Sequence, residues 1–116
     1  MKGAIIYRWG PAVRGREQES LEVFTEAATY WNEQLEQGRI SSHEPYFSTT
    51  RNGGYWIMKG DVEELNALAA EEEFQRLVAK VQLIVEDWSA EMCVGGSIED
   101  VGEQIGMFQE VISDLT

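Results

Sequence analysis

Two short segments of this chain carry apolar side chains at nearly every position instead of every second one. In residues 4–9, Ile5, Tyr7 and Trp9 alternate with Ala4 and Ile6, and in residues 55–59, Trp56 and Met58 alternate with Tyr55 and Ile57. Successive side chains of a strand point to opposite faces. A sheet with one wet face would show polar residues at alternate positions, and these strands do not. Helices over one face leave the other in need of a cover. A second copy stacked sheet to sheet under two-fold symmetry would supply it, so the chain is expected to be a homodimer. The competing cover is the chain's own last helix.

The other elements follow from periodicity and punctuation. After the first strand, Gly10-Pro11 forms a stop, and residues 17–37 carry Leu21, Phe24, Ala28, Trp31 and Leu35 at helical spacing, with Gly38 as C-cap. A second strand spans about residues 40–50. Arg51-Asn52-Gly53-Gly54 then reads as a hairpin turn, because Asn and Gly tolerate positive φ. A second helix opens at Asp61, with Glu64 placed to complete a capping box, and Glu71-Glu72-Glu73 marks a break at which it restarts. Residues 88–94 form the fourth strand. Ser97 caps a last helix striped by Ile98, Val101, Ile105, Phe108, Ile112 and Leu115. The order β-α-β-β-α-β-α is that of a ferredoxin-like α+β fold with an added C-terminal helix, one domain over residues 1–116, its antiparallel sheet ordered four-one-three-two.

Composition bounds the function. The formal charge is −12, from 21 acidic and nine basic residues. Such a chain repels phosphate backbones and anionic lipid, so no nucleic-acid or membrane partner is expected. No apolar stretch is long enough for a membrane span, and the N-terminal residues lack the pattern of a signal peptide. The single Cys93 fits a reducing compartment, and the expected location is the cytoplasm. One histidine, one cysteine and scattered carboxylates show no metal-ligand spacing, and His43 is the sole histidine available to a haem, so no cofactor is expected.

At the level of motifs the chain resembles the dimeric α+β barrel superfamily, and distantly its YCII-like members. The resemblance rests on Glu36-Gln37-Gly38-Arg39-Ile40, on Gly53-Gly54-Tyr55-Trp56, and on Lys59-Gly60-Asp61-Val62-Glu63-Glu64-Leu65. Glu73-Phe74-Gln75-Arg76-Leu77 and Leu83-Ile84-Val85-Glu86-Asp87-Trp88 complete it. The resemblance implies a barrel closed by two copies, in a group that includes cofactor-free monooxygenases, haem-degrading enzymes and pure ligand binders. The Asp-Gly-Pro-Phe element and the His–Asp pairing of YCII-like proteins are absent here, so the resemblance does not carry over that type of catalysis.

Alternation along the strands selects the candidate site residues. With Trp88, Ala90, Met92 and Val94 turned to the helices, Glu91 and Cys93 face the barrel interior, together with Arg8, Tyr55 and Lys59. A carboxylate, a guanidinium and a phenol converging in a partly apolar cavity can orient a small polar or aromatic ligand. The plain alternative is a structural Arg8–Glu91 pair that satisfies buried charges. His43 titrates near neutrality and is a candidate general base, oriented by Glu44 or Glu91, or else an ordinary packing histidine. Adjacent strand residues point apart, which disfavours a direct His43–Glu44 dyad. Cys93 is read as an inert thiol, Arg14-Gly15-Arg16 as a charged loop, and the four tryptophans as core before cage. Two functions of different class follow. One is a ligand-binding barrel, with or without cofactor-independent chemistry; the other is a non-catalytic interaction dimer with a filled interior.

Overall fold

The computed structural model describes residues 1–116. Its elements are β1 (Lys2–Trp9), α1 (Glu17–Glu36), β2 (Ser42–Phe47), β3 (Gly54–Asp61), α2 (Val62–Ala69), α3 (Glu72–Ile84), β4 (Ser89–Val94) and α4 (Ile98–Leu115). All ladders are antiparallel in the order β2-β3-β1-β4, the ferredoxin-like arrangement expected. No helix is long and apolar enough to cross a membrane.

Helices α1, α2 and α3 cover one face of the sheet. Ile5 and Tyr7 of β1 and Trp56 and Met58 of β3 meet Trp31 of α1, Leu65 and Leu68 of α2 and Phe74 and Leu77 of α3 in one core. The β1–β3 register sets Ile5 against Met58 and Tyr7 against Trp56, so each ladder rung contributes two core side chains.

Two local details differ from the sequence reading. Strand β2 is shorter than residues 40–50 because the Ser48 hydroxyl accepts from the amides of Thr50 and Arg51, drawing the chain into a wider turn. Asp61 does cap α2, accepting from the amides of Glu63 and Glu64, but Glu64 does not return to complete a capping box. Its carboxylate accepts instead from Arg39 Nε at 2.9 Å, while Arg39 also grips Glu71 through two bonds of 2.8 Å. That clamp sits at the break between α2 and α3.

Helix α4 buries none of its residues, leaving Phe108 63% and Leu115 82% exposed. It projects from the body, which gives extents of 54 × 32 × 25 Å and a radius of gyration of 16.5 Å. A compact domain of this size has a radius of about 13 Å. The helix therefore does not roof the sheet's far face within its own chain. That face, carrying Ala4, Ile6, Arg8, Tyr55, Ile57 and Lys59, is partly or fully exposed.

Candidate ligand pocket

The helix side of the sheet is incompletely filled at one end. Where the end of β1, the 48–53 turn, the start of α1 and the end of α3 meet, a cavity of about 370 Å³ remains, lined almost wholly by apolar side chains. Its size follows from the residues around it. Phe24 lies 5.0 Å from Trp56 and 6.3 Å from Trp9 between ring centroids, and Tyr7 lies 5.4 Å from Trp88. Rigid rings wedged against one another at such angles cannot collapse into a gap as flexible aliphatic chains do.

Tyr7 and Trp88 line the cavity, but the Tyr7 hydroxyl and Trp88 Nε1 are themselves closed off from it, buried without a hydrogen bond like the Tyr30 hydroxyl and Trp31 Nε1. Burial, with a smaller contribution from neighbouring Tyr30, pushes the Tyr7 phenol well above its ordinary range, so it remains a neutral donor. The polar lining is formed by Glu17, Ser20 and Asn52. Glu17 accepts from the Gly15 amide at 3.2 Å, and such backbone bonds hold its carboxyl below the ordinary range.

The third tryptophan in the wall is treated differently. Trp56 donates its indole N–H to His43 Nδ1 at 3.1 Å, and His43 Nε2 lies 2.7 Å from Asn32 Oδ1. An indole nitrogen only donates, so Nδ1 is the bare nitrogen and Nε2 carries the proton given to Asn32. Burial moves the imidazole pKa down, favouring this neutral form.

The expected site residues are placed as follows. Arg8, Tyr55, Lys59 and Glu91 do share the far face of the sheet, as alternation required. His43 does not join them; it stands opposite Met58 on the helix face. Neither Glu44 nor Glu91 orients it, for Glu44 pairs with Lys59 at 3.6 Å on the other face, and Asn32 and Trp56 hold the ring. Arg8 and Glu91 form no ion pair within the chain, because the register sets Arg8 against Ser89 and Glu91 against Ile6. Arg51 and Arg8 instead lower the Tyr55 phenol pKa, with the Arg51 guanidinium 5.0 Å above its ring. None of the five lines the cavity on the helix side.

Tyr7, Trp88, Phe24 and Asn52 did not stand out in the sequence. The first three occupy positions whose periodicity is that of ordinary core, and Asn52 belongs to a turn. The one available signal was the tryptophan count. Trp31 and Trp56 belong to the core and Trp9 and Trp88 pack against it, and Trp9, Trp56 and Trp88 also line the cavity.

No protein-family model and no curated protein matches the chain. Among solved structures it is similar to SnoaB, a cofactor-independent oxygenase from Streptomyces nogalater, with TM-score 0.63 and 14% identity over 83% of this chain and 94% of that one. It is also similar to a conserved protein of unknown function from Bacteroides thetaiotaomicron described as a possible oxidoreductase, with TM-score 0.57 and 16% identity over 78% and 92%. At these identities the likeness establishes the ferredoxin-like α+β fold.

Proposed function

We propose that the protein is a homodimer, each chain of which binds one small, flat, largely apolar aromatic molecule bearing a hydrogen-bond acceptor in the pocket between sheet and helices. The observation that carries this is the cavity itself, about 370 Å³ in volume and walled by Trp9, Phe24, Trp56 and Trp88, with Asn52 among its few polar lining residues. Rigid rings that leave such a volume unfilled match the faces of a flat ligand. A ligand carbonyl or phenolic oxygen can accept from the Asn52 amide. The likeness to SnoaB extends the proposal to cofactor-independent oxygenation of the bound molecule. The lone cysteine supports a cytoplasmic setting.

Titration with N-phenyl-1-naphthylamine, a neutral aromatic fluorophore, tests the pocket. Saturable binding at one site per chain is expected, with a loss of at least tenfold in affinity for Ala27→Phe or Val81→Phe, which fill the cavity. Binding unchanged in both folded variants would place the ligand elsewhere.

A second reading, the interaction dimer, is favoured by α4, whose apolar stripe finds nothing to pack on in its own chain. In a dimer that closes over the open sheet face, Arg8, Tyr55, Lys59 and Glu91 lie between the subunits. They then bind a polar ligand there or hold the copies together. A Glu91→Gln change that weakened the dimer without altering fluorophore binding would give them the second role.

A further inference from the structure

His43 hydrogen-bonds the indole of Trp56, a ring of the pocket wall, without itself lining the pocket. We infer that His43 is a positioning residue for this pocket: anchored by Asn32, its neutral ring keeps the Trp56 indole N–H turned away from the cavity, so that Trp56 offers a ligand only the apolar surface of its ring. The inference rests on the pocket proposed above.

The geometry makes the arrangement directional. The His43 and Trp56 rings lie 5.9 Å apart and nearly parallel at 28°, with Trp56 Nε1 donating to Nδ1 at 3.1 Å. Trp56 is 3% exposed, so its N–H has no water to turn to. If the imidazole gains a proton, Nδ1 becomes a donor facing a donor, and that bond is lost. The indole then turns its N–H toward the remaining space, the cavity, and alters the wall. The Trp56 donor is already spent on His43, so the wall it forms is apolar.

The surroundings isolate the imidazole as the group that changes charge. From α1 the ring meets Asn32, and from β3 it meets Trp56 and its ladder partner Met58, none of which ionises. The charged neighbours along the strands, Glu44 and Lys59, pair with each other on the far face. Within the pocket, Glu17 titrates below the ordinary carboxylate range and Tyr7 well above the ordinary phenol range.

The test measures N-phenyl-1-naphthylamine affinity between about pH 5 and pH 8, where histidine changes charge. Wild type, His43→Gln and His43→Leu are compared, with melting temperature recorded for each. Wild type is expected to lose about fivefold in affinity toward the acid end, the worth of one net hydrogen bond. The glutamine oxygen accepts the indole N–H but does not titrate, so His43→Gln binds like wild type at neutral pH with a flat profile. His43→Leu is weakened about fivefold at every pH. A flat wild-type profile, or His43→Leu that melts lower yet binds with wild-type affinity, overturns the positioning role and leaves the pocket standing. Wild type that fails to bind the fluorophore at any pH overturns the pocket and this inference with it.

Discussion

Trp9 stands opposite Gly54 in the β1–β3 ladder, and a side chain on that glycine would run into both the Tyr46 carbonyl oxygen and the Trp9 indole, whose Cζ2 lies 2.7 Å from where a Cβ would sit. Gly53, one residue earlier, has φ +148°, a conformation that side chains disfavour. The Gly-Gly pair that reads as a turn signal thus has a second use. It lets the hairpin close against the ring that walls one side of the cavity. Gly54→Ala is expected to destabilise the fold by about 1–3 kcal/mol through overpacking. It should also weaken fluorophore binding, since Trp9 must move. Denaturant unfolding and the binding titration check the two effects separately.

The buried imidazole also links stability to pH. Burial lowers the pKa of His43 in the folded state below its ordinary value, and the unfolded chain restores that value. The unfolded state therefore binds the proton more readily. The associated stability is fully present above the ordinary imidazole pKa of about 6.5, and is lost as pH falls through the lowered folded value. In the difference between wild type and His43→Gln, the carboxylates common to both cancel. That difference is expected to be constant above neutrality and to shrink or reverse in sign on the acid side. A difference independent of pH would mean that the imidazole titrates alike in the folded and unfolded chain, and that burial does not lower its pKa.

Arg39 joins elements that are distant in sequence. Its guanidinium bonds Gln34 near the end of α1, Glu64 in α2 and Glu71 at the start of α3, and its side chain is only 21% exposed. Arg76 and Glu72, by contrast, pair along a single helix with both side chains more than 70% exposed. Exposed pairs of that type contribute little, whereas a forked guanidinium that satisfies three partners has geometry no ammonium can copy. Arg39→Lys is expected to lower the melting temperature clearly, and Arg76→Lys to leave it almost unchanged. Equal shifts in the two variants would show that the clamp is merely decorative.

The fold was legible because its signals are local. Alternation in β1 and β3, the Asp61 and Ser97 caps and the break before Glu72 each declare themselves within a few residues, and the order of elements does the rest. Alternation also put Arg8, Tyr55, Lys59 and Glu91 on one face correctly. The pocket was not legible. A cavity depends on how Phe24, Trp56 and Trp88 fail to fill a volume, and residue type alone does not distinguish a filled core from one with a gap. His43 illustrates the limit best. Its strand position was plain, but its partners Asn32 and Trp56 come from other elements, eleven and thirteen residues away in sequence.

Assembly is the remaining consequence of the strands apolar on both faces, and α4 makes it testable without disturbing the subunit. The helix buries nothing in its own chain, so charges placed on its stripe cannot unfold the core. Phe108 and Ile112, 63% and 60% exposed, lie four residues apart on that stripe. In sedimentation equilibrium the wild type is expected to have the mass of two 13.2 kDa chains. Phe108→Glu with Ile112→Glu should sediment as one chain, with unchanged circular dichroism. Because each chain carries a formal charge of −12, two copies repel, and added salt should tighten the dimer by screening that repulsion, the reverse of a dimer held by ion pairs. A wild type that is monomeric at micromolar concentration would leave both the α4 stripe and the open sheet face without an occupant, and would remove the homodimer. A dimer indifferent to the two glutamates would instead assign its contact to the sheet faces, where Ile6, Ile57 and Tyr55 meet solvent in the single chain.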